Sequence, residues 1–141
     1  MGRASGRRLA ASVCAERITM ALKEARPAGL TTKQLVTSTG LTISQVRSGL
    51  LYIRTTAAMA NLTPLTWTRA EGWKLSLERA EWAAFVRAVS TQACTRMDRL
   101  MTSTIGPWAA LMPDDDDVQL ILDQITGVRA ALIVLSRDAA N

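Results

Sequence analysis

Two short polar signatures, eleven residues apart, constrain this chain more than anything else in it. Thr31-Thr32-Lys33-Gln34 and Thr42-Ile43-Ser44-Gln45 each place a threonine three residues before a glutamine. At that spacing the threonine hydroxyl accepts from the third N–H of a helix, and the glutamine reaches back to the threonine N–H. Each signature therefore opens a helix. Gly40 stands where a left-handed residue closes the first one. With only Gly40 and Leu41 between them, the two helices form a helix-turn-helix. A further helical pattern precedes them from Leu9 to Ala25, with Val13, Ile18, Ala21, Leu22 and Ala25 at three- and four-residue spacing, stopped by Pro27 and Gly29.

Phased at about 100° per residue, the second capped helix sends Val46, Leu50, Ile53 and Ala57 to one narrow stripe, the expected core face. Ser44, Ser48, Leu51 and Thr55 lie opposite. Arg47 and Arg54 take one flank, Gln45 and Tyr52 the other. The exposed residues near its start are thus Ser44, Gln45, Arg47 and Ser48. An ordinary amphipathic helix has the same pattern, so its neighbours decide its meaning.

Those neighbours alternate with period two. Pro64-Leu65-Thr66-Trp67-Thr68 and Trp73-Lys74-Leu75-Ser76-Leu77 read as strands joined across Arg69-Ala70-Glu71-Gly72. A single register pairs Trp67 with Trp73 and Leu65 with Leu75, placing all four on one face. Thr66, Lys74 and Ser76 then face the other way, and Arg69 sits at the tip.

Helix, helix-turn-helix and two-stranded hairpin, in that order, resemble a winged helix-turn-helix domain. The resemblance covers residues 15–78, through LTTKQLVTSTGLTISQVRSGLLYIR and PLTWTRAEGWKLSL, and is similar to the DNA-binding part of MarR- or PadR-type bacterial regulators. It implies that the second helix of the motif enters the major groove while the hairpin wing touches the backbone or minor groove. On that basis Ser44, Gln45, Arg47 and Ser48 are candidates for base edges. Thr32, Lys33, Tyr52, Arg54, Arg69 and Lys74 are candidates for phosphate or wing contacts. Arg47 suits guanine O6/N7 and Gln45 suits adenine N6/N7, each such pair worth about 1–3 kcal/mol of discrimination. One departure concerns the turn before the wing, where residues 55–62 contain no glycine. That places the roles of Arg54 and Tyr52 in question more than those of Gln45 and Arg47.

Charge divides along the same line. The net charge is +5, yet the first 79 residues carry 12 Lys/Arg against 4 Asp/Glu, and residues 80–141 carry 5 against 8. A basic first part suits a polyanion, although solvated surface charge is an equal competitor. The expected organisation is a basic arm over 1–12 (with Arg3, Arg7 and Arg8), a winged domain over 13–78, and a helical region over 79–141.

Two long apolar patterns fill that last region. Between Leu77 and Ile105 a stripe runs through Trp82, Phe85, Val86, Val89, Ala93, Met97, Leu100 and Met101, ended by Gly106 and Pro107, with Trp108 to Met112 as a connector. From Asp117 to Ala139 a broader stripe holds Val118, Ile121, Leu122, Ile125, Val128, Leu132 and Leu135. A small winged domain cannot cover both, so a homodimer is expected. Trp82, Phe85, Val89, Met97, Leu100, Ile121, Ile125, Val128, Leu132 and Leu135 are its interface candidates. Asp114-Asp115-Asp116-Asp117 reads as a helix N-terminus, where carboxylates cap free N–H groups.

The fold class expected is mainly α with a small β-hairpin wing, followed by two long C-terminal helices. There is no histidine, which removes histidine zinc sites and Ser-His-Asp or Cys-His catalysis. Two cysteines, Cys14 and Cys94, suit buried apolar positions in a reducing bacterial cytoplasm, where the nucleoid would be the place of work. No unbroken apolar run approaches the roughly 18–20 residues of a membrane span, so no membrane partner is expected. Neither a catalytic constellation nor a cofactor motif stands out, and a binder is expected rather than an enzyme. The leading function is a dimeric, sequence-specific DNA-binding regulator, most simply a repressor on a palindromic site. A DNA-binding accessory factor of a plasmid or phage and a winged-helix protein–protein adaptor are the alternatives. An effector ligand is left open.

Overall fold

In the computed structural model, which describes residues 8–137, both threonines cap as their spacing predicts. Helix α1 spans Ala11–Ala25, α2 Thr32–Thr39 and α3 Ile43–Tyr52. Thr31 Oγ1 accepts from Gln34 N at 3.1 Å while Gln34 Oε1 accepts from Thr31 N at 2.9 Å. Thr42 and Gln45 repeat the arrangement at 3.2 and 2.9 Å. Gly40 adopts φ +71°, and its N–H bonds Val36 O, closing α2. Arg3 and Arg7 of the expected arm, and Ala139 at the expected end of the last helix, lie outside the described residues.

Helix α3 does not stop at Tyr52. The chain continues through a π-helical turn, Ile53–Ala57, into a short α4, Ala58–Asn61, which Leu62 ends in the left-handed conformation. This occupies the glycine-free stretch before the hairpin. Val46, Leu50 and Ile53 are buried, as the phasing predicts. On α1 the expected face points inward for the most part, with Ile18 and Leu22 buried and Ala21 packed against the core. Cys14 and Ala15 are buried beside them, whereas Val13 is 37 % exposed. Gly49 supplies the reason. A Cβ there would stand 2.6 Å from Ile18 Cδ1 and 3.0 Å from the backbone of Ala15 and Cys14. Glycine lets α1 and α3 touch, and the α1 residues at that contact become the core. Leu35, Leu41 and Leu75 complete the cluster.

Strands β1, Thr66–Thr68, and β2, Gly72–Lys74, form an antiparallel pair in the register Thr66↔Lys74, Trp67↔Trp73, Thr68↔Gly72. The Trp67–Trp73 pairing is therefore as expected; the ladder stops short of Leu65. Leu30, just before α2, adds a bridge to the outer edge of β2, with reciprocal N–H···O bonds to Trp73 at 2.8 Å. Gly72, at φ +76°, makes the turn and lies against the backbone of Leu30 and Thr31, where no side chain fits.

The apolar face meets the core as expected, with Leu75 buried in it and Leu65 and Trp73 packed against it, but the polar face is covered as well. Thr66, Lys74 and Ser76 are buried, while Trp67 is 40 % exposed. Burying the polar side is tolerable because its groups find partners. Lys74 Nζ meets Glu81 at 3.0 Å and Glu71 at 3.4 Å, Thr66 Oγ1 donates to Lys74 O, and Ser76 Oγ accepts from Glu78 N. Among the described residues no buried side-chain nitrogen or oxygen lacks a partner.

The chain divides into two compact units between Trp82 and Ala83. Helix α5, Arg79–Leu100, crosses the division and continues through a second π-helical turn, Met101–Ile105, into α6, Gly106–Leu111. The stop expected at Gly106-Pro107 does not occur. Pro107 falls directly after the π-helical turn, and the chain stays helical through it. Helix α7, Asp116–Ser136, follows. Asp115 caps it, its Oδ1 accepting from Asp117 N and Val118 N, while Oδ2 accepts from Trp108 Nε1. The acidic run thus works as a helix start.

Within this second unit Ile105 and Val118 are buried, and Asp98 on α5 pairs with Arg129 on α7. By length and composition α7 is also long and apolar enough to cross a membrane. No unbroken run is visible in the sequence because Asp123 and Arg129 interrupt it. The protein is mostly helical with one small antiparallel sheet.

Candidate nucleic-acid interface

The start of α3 presents Ser44, Arg47 and Ser48 to solvent, with Ile43 and Leu51 exposed beside them. Their exposure follows from the opposite stripe, Val46, Leu50 and Ile53, being held in the core. Among the described residues Arg47 makes no ion pair on this face. Lys33 is exposed in the first turn of α2, and Arg69 is exposed at the hairpin tip.

Gln45 stands differently from the expectation. Its Oε1 accepts from Thr42 N, and the residue is only partly exposed. Pairing with adenine N6/N7 needs the carboxamide to accept and donate together. Here the capping bond turns the carboxamide back toward Thr42 N, so reading adenine would require the side chain to swing away from the cap.

The expected backbone contacts separate into two groups. Thr32, Arg54 and the hairpin come together, since Trp73 Nε1 donates to Thr32 Oγ1 at 3.3 Å and the Arg54 guanidinium lies 5.9 Å from the Trp73 ring centre. Trp67 packs against Trp73 with ring centres 6.4 Å apart. This cluster ties the start of α2, the turn after α3 and the hairpin into one surface. Tyr52 is not part of it. It lines a groove against α1, with Glu16 and Met20.

Lys74 is the clearest correction. Expected as a free wing cation, it is 8 % exposed and paired with Glu81 and Glu71. The hydrogen bond to Glu81 holds the Lys74 ammonium above its usual pKa, against the opposing effect of burial. The same bond, helped by one from Ser76, holds the Glu81 carboxyl below the usual carboxylate range. Lys74 fastens the hairpin to the first turn of α5; its charge is spent inside the fold.

Trp82 stands apart from the other interface candidates. Its indole N–H donates to Ser76 O at 2.8 Å, placing it in the first unit. The other interface candidates lie in the second unit. Phe85, Met97, Ile121, Ile125 and Leu132 are partly covered, whereas Val89, Leu100, Val128 and Leu135 are exposed.

Trp67 was missed as a surface residue. Alternation marks it as belonging to the apolar face but does not say that the core takes Leu75, Leu65 and Trp73 and leaves Trp67 outside. Comparison of the chain with protein-family models, with curated proteins and with solved structures returns no match in any of the three.

Proposed function

We propose that this chain is a winged helix-turn-helix protein that binds double-stranded DNA sequence-specifically as a homodimer, most simply as a repressor in a bacterial cytoplasm. The observation that carries the reading is the coupling of three parts: α2 and α3 joined at Gly40, the hairpin, and the Leu30 bridge pinning the hairpin beside the start of α2. In that arrangement the first turns of α3 are free to enter a major groove, with Arg47 the strongest candidate for guanine and Ser44 and Ser48 for adjacent polar contacts. Lys33, Arg54 and Arg69 are the phosphate candidates that keep free or exposed cations. Trp67 joins them as an apolar contact to the sugar backbone.

Dimerisation is supported by what one copy leaves uncovered. On α7, Leu120, Val128 and Leu135 are 61, 45 and 54 % exposed, and the helix face they share from Leu120 through Gln124, Gly127 and Ala131 to Leu135 has no charge. A second copy of α5 and α7 would cover it, and a twofold axis would suit a dyad-symmetric site.

Equilibrium binding to a random duplex and to footprinted genomic fragments, across a salt series, tests the proposal. Affinity should fall steeply with salt, and selected fragments should share a half-site repeated with dyad symmetry. Salt-independent binding, or none to any duplex, overturns it.

A further inference from the structure

A groove of about 440 Å³ runs between α1 and the chain that follows α3. Gly49 draws α1 and α3 into contact, and beyond that contact the π-helical turn at Ile53–Ala57 widens the helix. The walls here shrink to Ala15, Ala57 and Ala60, which is why the space exists. Its volume lies within the roughly 300–1,000 Å³ of small-molecule sites, and π-helical turns are frequent at functional sites.

The lining has a distinct chemistry. Glu16 is its one ionisable group at neutral pH, and no lysine or arginine lines it. Among the described residues Glu16 makes no ion pair. The Tyr52 ring and the exposed Met20 thioether give a polarisable wall. Ser12, Thr19, Thr56 and Asn61 add neutral hydrogen-bonding groups. Elsewhere Thr37, Thr39, Thr55, Thr91, Thr95 and Thr126 turn their hydroxyls back on the preceding helical turn. Among the described residues Thr19 and Thr56, in the groove, make no such bond.

We propose that this groove binds a small organic cation with an apolar body. Its charge would meet Glu16 and its apolar part would lie against Tyr52 and Met20, a face that attracts ammonium groups. Anions are repelled by Glu16. Resting on the DNA-binding reading, the same site is regulatory: Tyr52 and Thr56 flank Arg54, which lies on Trp73 of the hairpin, so a ligand bracing this turn changes the placing of Arg54. The two ligands are then thermodynamically coupled.

Calorimetric titration of the full chain, without DNA, uses benzyltrimethylammonium, with benzyl alcohol and benzoate as neutral and anionic controls. The cation should bind saturably and the controls should not. Glu16→Gln should weaken it about fivefold, as loss of an exposed charge pair allows, and Ala60→Leu should block it with the melting curve intact. No saturable heat at millimolar cation, equal binding of all three compounds, or an unchanged isotherm in Glu16→Gln overturns the site. Arg47→Ala should bind the cation normally, which separates failure of the DNA-binding reading from failure of the groove. A cation that binds yet leaves DNA affinity unaltered overturns the regulatory coupling.

Discussion

Lys74 Nζ and Glu81 Oε1 stand 3.0 Å apart, joining the last residue of β2 to the first turn of α5. Glu71 approaches the same ammonium from the hairpin turn at 3.4 Å. The three groups replace what would have been an outward wing lysine with an internal fastening.

The pair predicts a pH dependence with a definite sign. Glu81 has a lowered folded pKa, caused first by the hydrogen bond from Lys74. Its contribution to stability is therefore present above its unfolded value, about 4.3 for glutamate, and is lost as pH falls through the folded value. Lys74 has a raised pKa, so its contribution is present below about 10.4 and is lost as pH rises through the folded value. Thermal melts across pH should show a neutral plateau with an acid limb that flattens in Glu81→Gln. An acid limb of unaltered steepness in that variant would refute the assignment.

Lys74→Met should lower the melting temperature and leave the salt dependence of DNA binding as it was. Arg69→Ala should do the reverse, keeping the melt and reducing the slope of log K against log salt by about 0.9, as expected for one phosphate contact. The opposite partition would mean that Lys74 swings out to reach DNA.

Arg47 and Gln45 are separable in the same way. Arg47→Ala should cost about 1–3 kcal/mol of preference between cognate and random duplex, with an unchanged melt because its side chain is exposed. Gln45→Ala opens the capping box at Thr42 and should register in the melt. Thr42→Ala should destabilise by about 1 kcal/mol through loss of the cap itself. Preference retained in Arg47→Ala removes α3 as the reading helix.

Two glycines should respond oppositely to alanine. At Gly49 the added methyl meets Ile18 at 2.6 Å and backbone at 3.0 Å, and overpacking of that kind costs about 1–3 kcal/mol. Nothing lies within 4 Å of a Cβ at Gly127 in α7, where alanine should stabilise the helix by about 0.5–1 kcal/mol. Chemical denaturation of both variants checks the pair.

Val128→Glu and Leu135→Glu place charge on the exposed apolar face of α7. Sedimentation should show a dimer for the native chain and a shift toward monomer for each variant, with half-site affinity maintained and full-site affinity reduced. A native chain that stays monomeric at all concentrations excludes the dimer.

What could be read from the sequence is what local geometry decides. A capping box needs only residues three apart, so Thr31, Gln34, Thr42 and Gln45 announced both helices, and Gly40 announced the turn. The Trp67–Trp73 register followed from a short turn and strict alternation. The uncovered face of α7 followed from having more apolar residues than a small domain can bury.

Tertiary structure decided everything that period and spacing leave symmetric. Alternation says which hairpin residues share a face but not that both faces are covered. That depended on two carboxylates, Glu71 and Glu81, converging on Lys74. Contacts distant in sequence set the rest: Gly49 against α1 brought Cys14 and Ala15 into the core, Leu30 bridged Trp73, and Tyr52 came to line the same groove as Glu16. Gln45 shows the boundary most sharply. Its spacing predicted a cap and its place on the helix suggested a reader of bases; in the folded chain the capping bond holds the carboxamide against Thr42 N.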